Sequence, residues 1–197
     1  IDPKFIKAWN SLGLVYKKIH KPNKAIESFK KALEISSDFL DAWNNLGTVY
    51  RENNELNKAI IAFKKAIKID PNYIYPHINL CVIYTDEGNY KEAIKECKKT
   101  IEINPQFARP YINLCQIYNK IELCNKAIEL CNKAIEKCNN GIKIESDNVA
   151  NNVILSHFIL GRCYLELQNK ESAINEYKNL LQLNKNVADL LHHYIEE

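Results

Sequence analysis

Trp9-Asn10-Ser11-Leu12-Gly13-Leu14-Val15-Tyr16 and Trp43-Asn44-Asn45-Leu46-Gly47-Thr48-Val49-Tyr50 are one phrase written twice, 34 residues apart. The residues after each phrase recur in the same phase. Ala25, Phe29 and Ala32 return as Ala59, Phe63 and Ala66, closed by Pro71. Working outward, a third copy carries His77, Leu80, Cys81, Tyr84, Ala93, Cys97 and Pro105. A fourth carries Tyr111, Leu114, Cys115, Tyr118, Ala127, Cys131 and Ala134, and a fifth His157, Leu160, Gly161, Tyr164, Ala173 and Tyr177. Apolar residues inside each copy are spaced by three and four, as in Ala25-Ile26, Phe29, Ala32-Leu33, which is the period of one face of an α-helix. The repeats are therefore placed at 6–39, 40–73, 74–107, 108–141 and 154–187.

This pattern of an aromatic residue, Leu-Gly, tyrosine, then alanine, phenylalanine and proline resembles the tetratricopeptide repeat. The resemblance covers nearly the whole chain. It implies an all-α fold, an α-solenoid of stacked antiparallel helix-turn-helix units wound as a right-handed superhelix. The chain then reads as one array over 1–197, interrupted by an insertion at 142–153 and ended by a partial repeat or capping helix at 188–197. Ile1-Asp2-Pro3 has the phase of Ile69-Asp70-Pro71 and reads as the tail of an earlier repeat. First helices are expected to begin near Lys7, Asp41, Tyr75 and Arg109. Pro71 and Pro105 should stop second helices, because proline lacks the N–H of a helical bond. Asn23, Asn57 and Asn125 are placed to cap second helices. Ser146 or Asp147 could cap a first helix that starts inside the insertion and runs to about Glu166. A single unit cannot bury its apolar face alone, so stacking is what makes such a fold stable.

Composition narrows the function. Hydrophobic residues make up 46% and charged residues 26%, ordinary for a folded protein, and 5 Gly with 6 Pro give little punctuation for a many-stranded sheet. The net charge of +3 is built from interspersed lysines and glutamates, so no basic field calls for nucleic acid. The lysine pairs Lys30-Lys31, Lys64-Lys65 and Lys98-Lys99 read as a solvated face. No apolar run approaches the ~20 residues of a membrane span, so no membrane partner is expected. A chain that opens at Ile1 and has no Met is expected to be a piece of a longer protein.

The seven cysteines fall in packing slots: Cys81 and Cys115 in the glycine slot of Gly13 and Gly47, Cys97 and Cys131 in the phenylalanine slot of Phe29 and Phe63. A free thiol packs as a small hydrophobe, and no Cys-x-x-Cys pair is present. Seven reduced thiols, no metal, no cofactor and a cytoplasmic location (or a nuclear one) are expected. His77 and His157 stand in the aromatic slot of Trp9, Trp43 and Tyr111 and read as packed ring substitutes. No phosphate loop, nucleophile elbow or zinc-protease motif appears, so no enzyme activity is expected of this chain.

In the family this chain resembles, the first helices line a groove for a partner peptide or helix. Sixth positions are Asn45, Asn79 and Asn113, flanked by Ser11 and Ile159, and resemble the asparagine ladder of O-GlcNAc transferases. An amide both donates and accepts. Each lies opposite the core residues Leu46, Leu80 and Leu114 and is expected to be free to grip a partner backbone. Fifth positions run Asn10, Asn44, Ile78, Ile112 and Phe158, and Tyr75, Val82, Arg109 and Gln116 are placed on the same face. The groove should pass from polar to apolar along the chain. The family's clamp for chaperone C-terminal tails needs a cationic pair that no register of these repeats supplies. Three functions remain open: a protein-interaction scaffold, the substrate-recognition arm of a larger enzyme such as a glycosyltransferase, and a structural subunit of a multiprotein assembly. Self-association through the array ends is also left open.

Overall fold

The computed structural model describes residues 3–139 and 149–196. Among them the regular elements are eleven α-helices, with no strand. They fall into two compact units, Ile1–Gly88 and Asn89–Glu197. In the first unit, α1 (Pro3–Lys18), α3 (Leu40–Glu52) and α5 (Ile74–Asp86) are first helices, and α2 (Pro22–Ile35) and α4 (Leu56–Ile69) are second helices. Each second helix packs against the first helix before it and the one after it, while α1 touches α3 and α3 touches α5. Two layers result, one of first helices and one of second helices. The second unit holds α6 (Tyr90–Ile103), α7 (Ala108–Lys120), α8 (Cys124–Asn139), α9 (Val149–Glu166), α10 (Lys170–Leu183) and α11 (Lys185–Glu196). It is layered alike, with α7, α9 and α11 on one side and α6, α8 and α10 on the other. The expected solenoid of helix-turn-helix units is thus present within each unit. First helices begin within a residue of expectation at Leu40, Ile74 and Ala108, and α1 begins earlier, at Pro3. The fourth repeat forms the pair α7–α8, as the first two form α1–α2 and α3–α4.

The repeat signature is a packing recipe. A Cβ built on Gly13 would stand 2.4 Å from the Phe29 ring, and one on Gly47 would stand 2.6 Å from the Phe63 ring. Only glycine lets the first helix approach the phenylalanine of its own second helix so closely. Ala25, Phe29, Ala32, Ala59, Phe63 and Ala66 are wholly buried around these crossings. The aromatic slot has a second duty. Trp43 Nε1 donates to Ser37 O at 2.8 Å, His77 Nε2 meets Pro71 O at 3.0 Å, and Tyr111 Oη donates to Pro105 O at 2.9 Å. Each ring ties its helix to the turn six residues before it. Tryptophan, histidine and tyrosine share this slot because each ends in a donor.

The turns inside the repeats are set by backbone, which corrects the expected caps. His20, Asn54, Gly88, Glu122 and Gln168 all have positive φ, at 54°, 61°, 74°, 59° and 57°. One residue later the chain N–H reaches back to the repeat tyrosine, as Glu55 N to Tyr50 O at 2.8 Å and Leu123 N to Tyr118 O at 2.8 Å. This left-handed closure starts the second helices at Pro22, Leu56 and Cys124. Asn23, Asn57 and Asn125 therefore lie inside first turns, and the capping positions before α2 and α4, Lys21 and Glu55, make no side-chain bond to the helix-end backbone. Asparagine does cap elsewhere: Asn169 accepts from Ser172 N at 3.1 Å and Asn184 from Val187 N at 3.2 Å. α9 ends at Glu166 as expected, whereas the proposed caps Ser146 and Asp147 lie outside the described residues.

Both the crossings and the turns can be tested through stability. Ala59→Leu overpacks a fully buried crossing and should cost ~1–3 kcal/mol, whereas Lys64→Ala, on an exposed side chain, should stay within about 0.5 kcal/mol; urea unfolding midpoints compare them. A left-handed backbone costs an L-residue roughly 1–2 kcal/mol. Gln168→Gly should therefore raise the thermal midpoint and Gly88→Ala lower it, as differential scanning calorimetry would show.

Candidate functional site

The first-helix layer carries every residue singled out for partner binding. In the first unit its amides are already engaged with one another. Asn45 Nδ2 on α3 donates to Asn10 Oδ1 on α1 at 3.0 Å, and Asn79 Nδ2 on α5 donates to Asn44 Oδ1 on α3 at 3.3 Å. Sixth position thus meets fifth position of the preceding repeat. Arg51, outside the residues expected from sequence, donates from Nη1 to Asn79 Oδ1 at 2.8 Å. Lys17 on α1 adds an ion pair to Glu52 on α3 at 3.0 Å. Asn45 and Asn79, expected from sequence to be free, are instead rungs tying neighbouring first helices together. The apolar candidates divide. Ile78 is buried, Val82 is half-buried, and Tyr75 is 44% exposed with its ring edge-on to Tyr73. Tyr73 donates to Asp41 Oδ1 at 2.8 Å. Burial, followed by that hydrogen bond, pushes its hydroxyl pKa well up, so the group stays a donor.

The second unit is different. Asn113 on α7 is 8% exposed and its Nδ2 has no hydrogen-bond partner among the described residues. Asn152 Nδ2 on α9 is in the same condition, and α7 and α9 adjoin in the first-helix layer. A buried amide donor without an acceptor costs about 1–3 kcal/mol, so each is a donor that a carbonyl or water would satisfy. Repeat phase gives no signal for Asn152, because it lies at the end of the insertion. Of the other candidates, Ile112 belongs to a core with Ala108, Tyr111, Ala134 and Cys138, and Phe158 packs against the core of α10 and α11 around Leu180 and Leu191. Arg109 and Gln116 are half-buried. His157 fills its aromatic slot but bonds Glu176 Oε2 at 2.6 Å through Nδ1.

The cysteines correct a further expectation. Cys115 on α7 and Cys131 on α8 are joined as a disulfide, their Cα atoms 5.5 Å apart. They occupy the glycine and phenylalanine slots, which touch in the first two repeats, so replacing both by cysteine brings two sulfurs together where a ring filled the space. Sixteen residues separate them, the spacing of Gly13 from Phe29. Cys124, Cys138 and Cys163 are free and buried. Burial, helped by the neighbouring Cys124, pushes the Cys163 thiol up to about 12, and burial also raises Cys124 and Cys138. Such thiols stay protonated and inert at neutral pH. Among the described residues no group of three or more His, Cys, Asp or Glu is placed to hold a metal, and no helix is long and apolar enough to cross a membrane.

Models of the tetratricopeptide repeat match residues 6–39, 40–73, 74–107 and 155–187. No curated protein matches the chain. Among solved structures, a MamA is 32% identical, covers 71% of this chain and 81% of its own, and has a TM-score of 0.64. MamA from Desulfovibrio magneticus RS-1 is 18% identical, covers 92% of this chain and 96% of its own, and superposes at a TM-score of 0.76. YrrB, described as a tetratricopeptide repeat protein with an unusual peptide-binding site, is 15% identical over 91% of this chain and 88% of its own, with a TM-score of 0.68. The latter two likenesses speak for the fold alone.

Closing a loop of this length, the Cys115–Cys131 bond should stabilise by ~3 kcal/mol. Reductant should therefore lower the thermal midpoint, and thiol titration of unfolded, unreduced protein should find fewer than seven. The double variant Cys115→Gly with Cys131→Phe should recover most of that stability and make the melt less sensitive to reductant.

Proposed function

The chain belongs to the tetratricopeptide repeat family, and from that premise we propose that it is a protein-interaction scaffold which grips a partner's backbone on the first-helix face of its second unit, at Asn113. Such arrays serve as binding surfaces, and nothing in the sequence adds a catalytic motif. The observation that carries the finer reading is the orphaned Nδ2 of Asn113. Turning the Asn113 side chain outward would offer that unpaired donor to a carbonyl supplied from outside, and a main-chain carbonyl would satisfy it without regard to partner sequence. Asn152 is a second such donor on the adjoining helix. Arg109 and Gln116, on the same helix as Asn113, add polar groups for the flanks of the segment. Asn10, Asn44, Asn45 and Asn79 then serve a different purpose, holding first helices of the first unit in register.

The test uses a peptide selected for binding from a displayed library of random sequences. Asn113→Ala removes one hydrogen bond of net worth ~0.5–1.5 kcal/mol and should weaken that peptide by roughly two- to tenfold. Deleting a donor that lacks a partner should leave the melt unchanged or raise it slightly. Asn45→Ala should instead lower the melt, because it orphans Asn10. Undiminished binding by the Asn113 variant would sink the reading, and so would a clear fall in its melting temperature.

A further inference from the structure

The second-helix layer holds a feature that the groove reading leaves unused. In the first unit a cavity of about 420 Å³ opens between α2 and α4, with α3 as its floor. In the second, one of about 470 Å³ opens between α6 and α8, with α7 as its floor. They are lined by corresponding residues two repeats apart. Leu33, Trp43, Leu46 and Tyr50 in the first cavity become Ile101, Tyr111, Leu114 and Tyr118 in the second. The mouth corresponds too: Lys30 and Lys58 become Lys98 and Lys126. The cavity thus returns in register two repeats on, with its aromatic wall and both lysines, although the intervening repeat carries Glu92 in the slot of Lys58 and Lys126.

Its chemistry specifies an occupant. The walls are aliphatic and aromatic, a place for one large apolar side chain. The rim carries an excess of lysine: Lys30 and Lys58 against Glu34 in the first cavity, and Lys98, Lys126, Lys133 and Lys137 against Glu129 and Glu136 in the second. Among the described residues, Lys30, Lys98 and Lys126 have no carboxylate within ion-pair distance, while Lys58 pairs with Glu55 and Lys133 with Glu129. Lys58 and Lys126 each lie 5.6 Å from the centroid of a wall tyrosine, Tyr50 and Tyr118, held over the mouth by cation–π attraction. Ile61, 59% exposed, borders the first cavity. Its counterpart in the second is Glu129, so the first is the more apolar of the two.

We propose that the second-helix face of each unit is a docking site for an acidic segment of a partner protein, which inserts an aromatic or leucine side chain between successive second helices and places flanking carboxylates on the rim lysines. This surface is separate from the Asn113 face and does not depend on it. Complementary charge steers the approach, and the apolar anchor supplies the hold.

The whole chain carrying Trp9→Phe leaves Trp43 as its only tryptophan, a reporter inside the first cavity. The probe is a fluorescein-labelled peptide Asp-Glu-Asp-Leu-Phe-Glu-Asp-Glu, followed by polarisation; unlabelled peptide is used for Trp43 emission. Binding should shift that emission and weaken severalfold between low and physiological salt. The peptide with Ser-Ser in place of Leu-Phe should bind at least tenfold more weakly. Lys30→Glu with Lys58→Glu should weaken the acidic peptide at the first cavity about tenfold, lost there as a Trp43 response, and admit its lysine-substituted counterpart. Ile61→Glu should weaken it about threefold. All three substitutions are on exposed side chains, and unchanged circular dichroism confirms that the fold persists. Equal binding of the Ser-Ser peptide would reduce the effect to charge attraction and overturn the proposal. Indifference to the rim and Ile61 substitutions would overturn it as well, and so would sedimentation showing self-association abolished by Ile61→Glu, because the occupant would then be a second copy. Loss of peptide affinity in Asn113→Ala would assign the binding to the other face.

Discussion

The close crossing of a glycine in one helix over a phenylalanine in the next is the contact on which the repeat depends. With the Cβ of residue 13 or 47 excluded by ring atoms of Phe29 or Phe63, the two helices of a unit have one depth of approach. Buried alanines at 25, 32, 59 and 66 preserve that depth along the second helix. Everything else is placed relative to this crossing. The aromatic slot bonds to the preceding turn, the left-handed residue reverses the chain, and the next second helix arrives in phase. Close packing makes such a contact intolerant of added volume, so the slot pair can change only in concert.

Two solutions to that concerted change are visible. At Cys115 and Cys131 glycine and ring are both replaced, and a covalent bond fills the space instead. At Gly161 the glycine is kept, but its close neighbour is Leu191 of α11, whose methyl group would stand 2.3 Å from an added Cβ. The last helix thereby supplies what a phenylalanine of the repeat's own second helix supplies elsewhere. This gives α11 a structural task, burying Ala188, Leu191 and Ile195 against α9 and α10.

The fold is legible in the sequence because its determinants are periodic. Slots at fixed phase give the helix pairs, the fourth repeat included, and place three of the first-helix starts to within a residue. Relations between slots are what periodicity hides. Asn45 and Asn10 are both visibly polar, yet only the packing of α3 beside α1 makes one the partner of the other. Cys115 and Cys131 are packing residues, as their phase implies, and the signal of their bond is the spacing they share with Gly13 and Phe29. Asn23 and Asn57 look like caps because asparagine caps helices, but the backbone closure at His20 and Asn54 leaves no vacancy for them. Phase identifies a slot, and neighbours decide its use.

That distinction also separates the two faces. On the first-helix layer of the first unit, polar side chains satisfy each other, which stiffens the layer and leaves few donors for a partner. Fifth positions then change from Asn10 and Asn44 to Ile78 and Ile112, and among the described residues the buried unsatisfied amides are those of Asn113 and Asn152. A surface that completes its own hydrogen bonds gains stability, and one that leaves a donor buried and unpaired gives some of it up. The second-helix layer follows a different rule. Its cavities rest on residues that the repeat requires anyway, such as Leu46 and Tyr50, with lysines at the mouth. The docking proposed there would cost the fold little, because the walls are already part of the core.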